Sequence, residues 1–352
     1  MNAENFPKTQ LEAFRFFENE ENCHEVMKQI RWTNGEPVCP QCKSKEIGRL
    51  IVTTREIKGR TLKDGTVIEP YMHTRRLWQC RVCRKQFTVK VGSIFEDSPL
   101  ALDKWLCGLW LIVNAKNGIS SCEIARTLGI TQKSAWFLAH RLRAAIQGGS
   151  FEKMGGIVEA DESFIGAKAR TMNAKSKAKR RALFGKGTGG VAMTPVQGLL
   201  ERGTREKASR IRLAVIKSTK KADVQAGVRG YVLKGSQVMT DELGGYRGLD
   251  DEYTHNVINH AECYVKGNVH TNGLENFWSL LKRTIKGTYV NVEPFHLFRY
   301  LDEQAYRFNE RKDEDGDKGR FLKAIAGIFG KRLTWDKLTG KNEALPDCLP
   351  IC

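Results

Sequence analysis

The fold is decided by the stretch Asn268-Val269-His270-Thr271-Asn272-Gly273-Leu274-Glu275-Asn276-Phe277-Trp278-Ser279-Leu280-Leu281-Lys282-Arg283-Thr284-Ile285-Lys286-Gly287-Thr288. Leu274, Phe277, Trp278, Leu281 and Ile285 recur at the steps of a helix and make one apolar face. Glu275, Ser279, Lys282 and Lys286 line a second face beside it. Gly287 is a stop signal. A carboxylate and a lysine, seven residues apart, therefore share one side of a helix packed against something apolar. Glu275 has two open roles. With Asn272 as N-cap it takes the N3 place of a capping box; turned outward, it can join acids from elsewhere in the chain.

Those acids stand upstream on strands. Ile157-Val-Glu-Ala-Asp161-Glu162-Ser-Phe-Ile165-Gly166 reads as a strand ending in glycine, and Val196–Arg202 and Ile211–Ile216 as two more. Ala222–Leu233 reads as a helix, Gln237–Glu242 as a fourth strand ending in Asp241, and Thr254–Ile258 as a fifth. A last helix is expected over 293–311, with Phe295, Leu297, Phe298, Leu301, Ala305 and Phe308 inward. Three antiparallel strands, helix, strand, strand, helix is the order of a ribonuclease-H-like core. In it Asp161 sits mid-sheet, Asp241 lies at the tip of a fourth strand paired beside the first, and Glu275 comes from the following helix. Such a trio can hold two Mg(II) or Mn(II) ions about 4 Å apart. Hard cations want oxygen ligands and keep water and phosphate in their shell. One ion activates the attacking water or 3′-hydroxyl and the other stabilises the leaving oxygen. Lys282 is placed to reach a neighbouring phosphate. Asp161 and Glu162 are adjacent on a strand and face opposite ways, so one of them points into the site; the same holds for Asp241 and Glu242.

The chain has 352 residues, with 58 Lys plus Arg against 40 Asp plus Glu, a formal charge of +18. That excess suits a polyanion partner, since clustered cations release counterions from phosphate. There is no apolar run of the ~18 residues a membrane span needs, and Met1–Gln10 is too polar for a signal peptide. The expected location is the cytoplasm, where ten cysteines mean thiols or metal rather than disulfides.

Two CxxC pairs, Cys39/Cys42 and Cys80/Cys83, stand 37 residues apart. Four thiolates on two tight turns suit one structural Zn(II), with hairpin strands between: a zinc ribbon over 36–92 after an N-terminal helical segment, 1–35. Arg75, Arg76, Arg81, Arg84, Lys85 and Lys90 decorate it and suit DNA backbone contact. Cys23, Cys107, Cys122 and Cys263 read as core thiols. Residues 98–148 read as a buried helix at 99–116 and then a helix-turn-helix, with Ser120 or Ser121 and Thr131 as caps and Gly129 at the turn. Its second helix is expected to turn Gln132, Lys133, His140 and Arg141 outward, so Lys133, Arg141 and Arg143 are assigned to DNA. Gly148-Gly149 is a linker to the catalytic unit, 155–312. A basic loop over 167–190, including Lys179, Arg180 and Arg181, can clamp DNA, as can Lys282, Arg283 and Lys286. Residues 313–352 are expected to be a tail; its Cys348 and Cys352 are assigned nothing.

These motifs, together with His270-Thr-Asn272-Gly-Leu-Glu275-Asn-Phe-Trp278-Ser-Leu-Leu-Lys282-Arg283, Tyr300-Leu-Asp-Glu303 and Arg307-Phe-Asn-Glu-Arg311, resemble a bacterial DDE insertion-sequence transposase with an N-terminal zinc ribbon. The resemblance covers about residues 20–315. It implies an α+β multidomain protein: zinc ribbon, helix-turn-helix, then a ribonuclease-H-like catalytic core. It implies Mg(II)-dependent strand cleavage and transfer, with Asp161, Asp241 and Glu275 as ligands. The partners would be double-stranded element ends (terminal inverted repeats) and target DNA, met as a homodimer or higher oligomer. Some relatives carry Asn as the third ligand, which brings in Asn272; the step to Lys282 favours Glu275. Two other readings fit parts of the chain. One is a nuclease or resolvase of the same core without strand transfer. The other is a zinc-ribbon regulator with an inert C-terminal domain, against which the intact trio argues.

Overall fold

A computed structural model describes residues 6–61, 65, 67–147, 152–166, 174–175, 178, 193–241, 243–257 and 270–340. The basic loop with Lys179, Arg180 and Arg181 lies outside the described residues, as do Glu242, Cys263, Cys348 and Cys352.

Helices α1 (Gln10–Glu18) and α2 (Glu20–Arg31) open the chain. A ribbon follows: β1 (Ile51–Ile57), β2 (Arg60–Thr61), β3 (Val67–Ile68), β4 (Tyr71–Gln79) and β5 (Gln86–Phe87). Its main sheet has the order β1-β4-β5, and β1 pairs antiparallel with β4 from Ile51↔Leu77 to Ile57↔Tyr71. Away from its base this hairpin is exposed on both faces, Val52 and Met72 included. At its base Trp78 packs against Trp32, His24 and Phe87.

Helix α3 (Leu102–Asn114) is apolar nearly all round and is buried. Helices α4 (Ser121–Leu128) and α5 (Gln132–Ile146) follow, capped by the Ser120 and Thr131 hydroxyls. Gly129, at φ 64°, makes the turn between them, a conformation that costs glycine little. These helices form one core with α1, α2 and the ribbon base.

That core has a further contributor. The segment expected to be a tail forms α9 (Gly316–Ala326) and α10 (Trp335–Thr339). Phe321 packs with tilted rings on Trp110, 5.3 Å between centroids, and on Phe17, 5.5 Å between centroids. Phe321, Ala324, Ile325 and Ile328 repeat at helical spacing, so the apolar stripe was present in the sequence.

The second body is a five-stranded sheet of order β10-β9-β6-β7-β8. Strand β6 (Ile157–Ile165) pairs antiparallel with β7 (Thr194–Glu201), which pairs antiparallel with β8 (Arg210–Val215). After α6 (Lys221–Tyr231), β9 (Gln237–Thr240) lies parallel beside β6, and β10 (Thr254–Val257) parallel beside β9. The fourth strand thus pairs beside the first. One sheet face packs on α6 through Val158, Ala160, Leu199 and Val238. The other packs on α7 (Asn272–Thr284) and α8 (Pro294–Asn309) through Ile165, Val196, Leu200, Leu274 and Phe277. Helix α7 ends at Thr284 and runs into a π-helical turn, Ile285–Tyr289.

The two bodies meet at α5 and α8. Arg143 Nε donates to Glu303 at 2.5 Å, both side chains buried, and Arg307 and Tyr289 also bind Glu303. The Arg143 guanidinium lies 3.9 Å from the Tyr300 ring.

Candidate active site

Strand alternation puts Glu159, Asp161 and Ile165 on the β6 face beneath α7, and Glu162 on the opposite face. Asp161 Oδ2 accepts from Trp278 Nε1 at 2.9 Å, and Oδ1 from the Glu162 N–H at 2.8 Å. The Trp278 ring can sit there because the residue paired with Asp161 is Gly198. A Cβ at Gly198 would meet that ring at 2.7 Å. Glu162 receives the Tyr246 hydroxyl instead. Burial pushes its carboxyl up to about 8.

Asp241 follows β9 directly, and its Oδ1 accepts from the Leu243 N–H at 3.0 Å, which fixes the turn. Burial, then the Asp241 and Glu275 charges, pushes Asp161 up to about 6. The structure therefore brings all three predicted acids into one electrostatic neighbourhood. Glu275 and Lys282 share an open groove with Asp161, Glu162, Ser163, Trp278, Ser279, Arg283 and Lys286. The seven-residue step works as expected, since both side chains project from the exposed side of α7.

The capping-box expectation is corrected. Thr271 is the N-cap, so Asn272 is the first helical residue and Glu275 the fourth. The carboxylate that holds this terminus comes from the sheet: Glu159 Oε2 accepts from the Leu274 N–H at 2.9 Å. Arg202 braces Glu159 at 2.7 Å and donates to the His270 carbonyl at 2.6 Å. Sequence reasoning passed over Glu159. The signal was there, because it lies two residues before Asp161 and so on the same strand face. Nothing local marked Arg202 as its partner.

Two of the DNA assignments, Arg141 and Arg143, and the outward placement of His140 are also corrected. Of the residues on α5, His140 is 0 % exposed, Arg141 4 % and Arg143 2 %. Arg141 donates to the Glu96 carbonyl at 2.6 Å and stacks between Trp105 and Phe137; Arg143 is spent on Glu303. Helix α5 is sandwiched among α3, α8 and α9, so Arg141 and Arg143 meet buried partners rather than solvent. Lys133 is exposed, at the helix start, with Nζ 4.9 Å from the Trp335 ring of α10. On the ribbon, Arg75, Arg81, Arg84 and Lys85 are exposed. Arg76 pairs with Glu20 and Glu21, and Lys90 turns inward to the Ser98 and Leu100 carbonyls.

The cysteine knuckles are two copies of one turn. Lys43 N–H donates to Cys39 O, and Cys39 N–H to Ser44 O, both at 3.0 Å. Arg84 N–H donates to Cys80 O, and Cys80 N–H to Lys85 O, again at 3.0 Å. Lys43 and Arg84 both take positive φ, 61° and 62°. The four sulfurs of Cys39, Cys42, Cys80 and Cys83 lie within 4.8 Å of one another. An all-sulfur set at that spacing fits one structural zinc with no open position. Among the described residues no other group of His, Cys, Asp and Glu has ligand atoms so close together. Asp161, Asp241 and Glu275 are thus neighbours in charge without forming a closed cage. Their donors are all oxygen, and a hard divalent cation would offset both the burial and the neighbouring negative charge that raise Asp161, so they fit Mg(II) or Mn(II).

Comparison with known proteins shows what this chain is similar to. Residues 153–309 match the ISXO2-like transposase domain, and residues 18–86 match the transposase zinc-ribbon domain. The chain is 27 % identical over 281 residues to an uncharacterized protein in transposable element ISH50 of Halobacterium salinarum; the match covers 76 % of this chain and 83 % of that one. No helix among the described residues is long and apolar enough to cross a membrane.

Proposed function

We propose that this chain, with its transposase zinc-ribbon domain ahead of an ISXO2-like transposase domain, is a DDE enzyme that cleaves insertion-sequence ends and transfers the strands to target DNA. The sheet order, with the antiparallel first three strands and the fourth parallel beside the first, supports a ribonuclease-H-like core. The observation that carries the proposal is geometric: Asp161 on β6 and Glu275 on α7 line one groove, Asp241 follows the strand paired beside β6, and burial, then the Asp241 and Glu275 charges, raises the Asp161 carboxyl. Charge crowding of this kind is what a bound divalent metal offsets, and it has no use in a regulator with an inert C-terminal domain.

Asp161, Asp241 and Glu275 would hold the metal, which supplies activation of the attacking oxygen and stabilisation of the leaving one. The residues around them act on the substrate. Trp278 fixes one Asp161 oxygen and leaves the carboxylate oriented toward the groove. Lys282, Arg283 and Lys286 continue the same groove as a row of cations, suited to the phosphates flanking the cut. Arg75, Arg81, Arg84 and Lys85 on the ribbon, and Lys133 at the start of α5, supply further backbone contact at the element ends. Joining two ends to one target calls for two or more copies of the chain. The setting is the cytoplasm, where the knuckle thiols stay reduced.

The test uses purified protein and duplexes that carry the element ends, with Mg(II) or Mn(II). Asp161→Ala and Asp241→Ala are expected to lose cleavage by at least 1000-fold, about 4 kcal/mol of transition-state stabilisation, while end binding stays within about twofold. Cleavage that survives both changes would contradict the proposal. Cleavage without joining would leave the nuclease reading in its place.

A further inference from the structure

We propose that Glu159 is a positioning residue for the third acid: it clamps the N-terminus of α7 and so sets where Glu275 stands over Asp161. The proposal rests on the three-carboxylate reading above and extends it to a side chain with no ligand role.

Glu159 is 1 % exposed and both of its carboxylate oxygens are engaged. One carboxylate oxygen, Oε2, accepts from the Leu274 N–H at 2.9 Å. The other, Oε1, accepts from Arg202 Nε at 2.7 Å. Arg202 Nη2 then donates to the His270 carbonyl at 2.6 Å and to His270 Nδ1 at 2.9 Å. A guanidinium has no acceptor, so Nδ1 accepts and the ring proton sits on Nε2. The chain is thus gripped on both sides of the α7 start, at His270 and at Leu274.

A free helix N-terminus leaves N–H groups unsatisfied, and Thr271, the N-cap, makes no side-chain capping bond here. Glu159 does that work from the neighbouring strand, with the helix dipole in its favour. Its reach depends on Gly273, where a Cβ would stand 2.8 Å from Glu159 Oε2. Asp161 is two residues along the same strand face and Glu275 one residue past the clamped amide. The clamp therefore ties the element carrying the first acid to the element carrying the third, over the shortest path available. A ligand that is held in advance binds metal more tightly than one that must be ordered on binding.

The experiment uses the full-length zinc-loaded protein and the variants Glu159→Gln, Gly273→Ala and the two combined. Gly273→Ala keeps the clamp residues but pushes the carboxylate off Leu274, and alanine suits a helix, so it serves if Glu159→Gln does not fold. Two properties are read: hydrogen exchange across residues 270–278 without divalent metal, and affinity for Mn(II) alone. Each single variant is expected to exchange faster there and to bind Mn(II) at least fivefold more weakly, with zinc content and end-DNA affinity unchanged. The combination should be no worse than the stronger single, since both changes break one contact. Faster exchange with unchanged Mn(II) affinity would overturn the proposal, as would unchanged exchange. Glu275→Gln is measured alongside. If it too binds Mn(II) like the wild type, the three-carboxylate reading has failed; if it alone weakens binding, only the clamp has.

Discussion

Asp161 is the residue on which the site's electrostatics turn. Burial and two neighbouring acids raise its carboxyl to about 6, from the ordinary aspartate value of 3.8. A raised folded value means that the protonated form is favoured by the fold. The stabilising contribution is therefore complete below about 4 and is lost as pH rises through about 6. A cation competes with that proton. Mn(II) affinity is expected to climb steeply between about pH 5 and 6.5 and to level off above 7, while Asp161→Asn should bind weakly with little pH dependence in that window. Titration with Mn(II) at stepped pH checks this; a flat wild-type profile from pH 5 to 7 would separate Asp161 from the metal. The same scale explains where sequence reading stopped. Asp161 was legible because a strand shows its two faces in its alternation. Arg141 and Arg143 were not, because a basic residue on an amphipathic helix looks outward until its partners are known. Those partners, Glu96, Trp105 and Glu303, lie far off in the chain.

Among elements, α5 and α8 carry the join between the two bodies. Burial alone would raise Glu303; the Arg143 and Arg307 charges override that and pull it down to about 2. A depressed folded value gives stability that is complete above the ordinary glutamate value of 4.5 and is lost as pH falls through about 2. Glu303→Gln leaves two buried guanidinium groups without their anion, a change that costs about 3–5 kcal/mol. Urea unfolding at pH 7 should show that loss, and Glu303→Gln should narrow its deficit as the pH approaches 3; a deficit under about 1 kcal/mol at pH 7 would mean the join rests on apolar contacts. Helix α7 teaches a related lesson. Its apolar face and its outward Glu275 and Lys282 were readable from spacing. Its N-cap was not, since the group that caps it, Glu159, lies 115 residues away and a local capping rule sees only neighbours.

At the scale of the whole molecule, element order was legible and closure was not. The knuckles are local turns and the sheet strands announce themselves by period and glycine, so ribbon and sheet followed from the sequence. The apolar stripe of residues 316–326 was in the sequence, but its packing against α1 and α3 depends on a return of the chain across two bodies, which the stripe alone does not specify. That return packs α9 against the N-terminal helices, α3 and α5, while α5 and α8 join that core to the sheet that carries the acid groove. The most direct measurement on that assembly is Mg(II)-dependent cleavage of an end-bearing duplex by Glu275→Gln. The change keeps the side chain's shape and removes only its charge. If Glu275 holds metal, cleavage falls by at least 1000-fold, about 4 kcal/mol, with end binding kept or tightened. Near-normal cleavage would contradict the assignment and move the third ligand to Asn272.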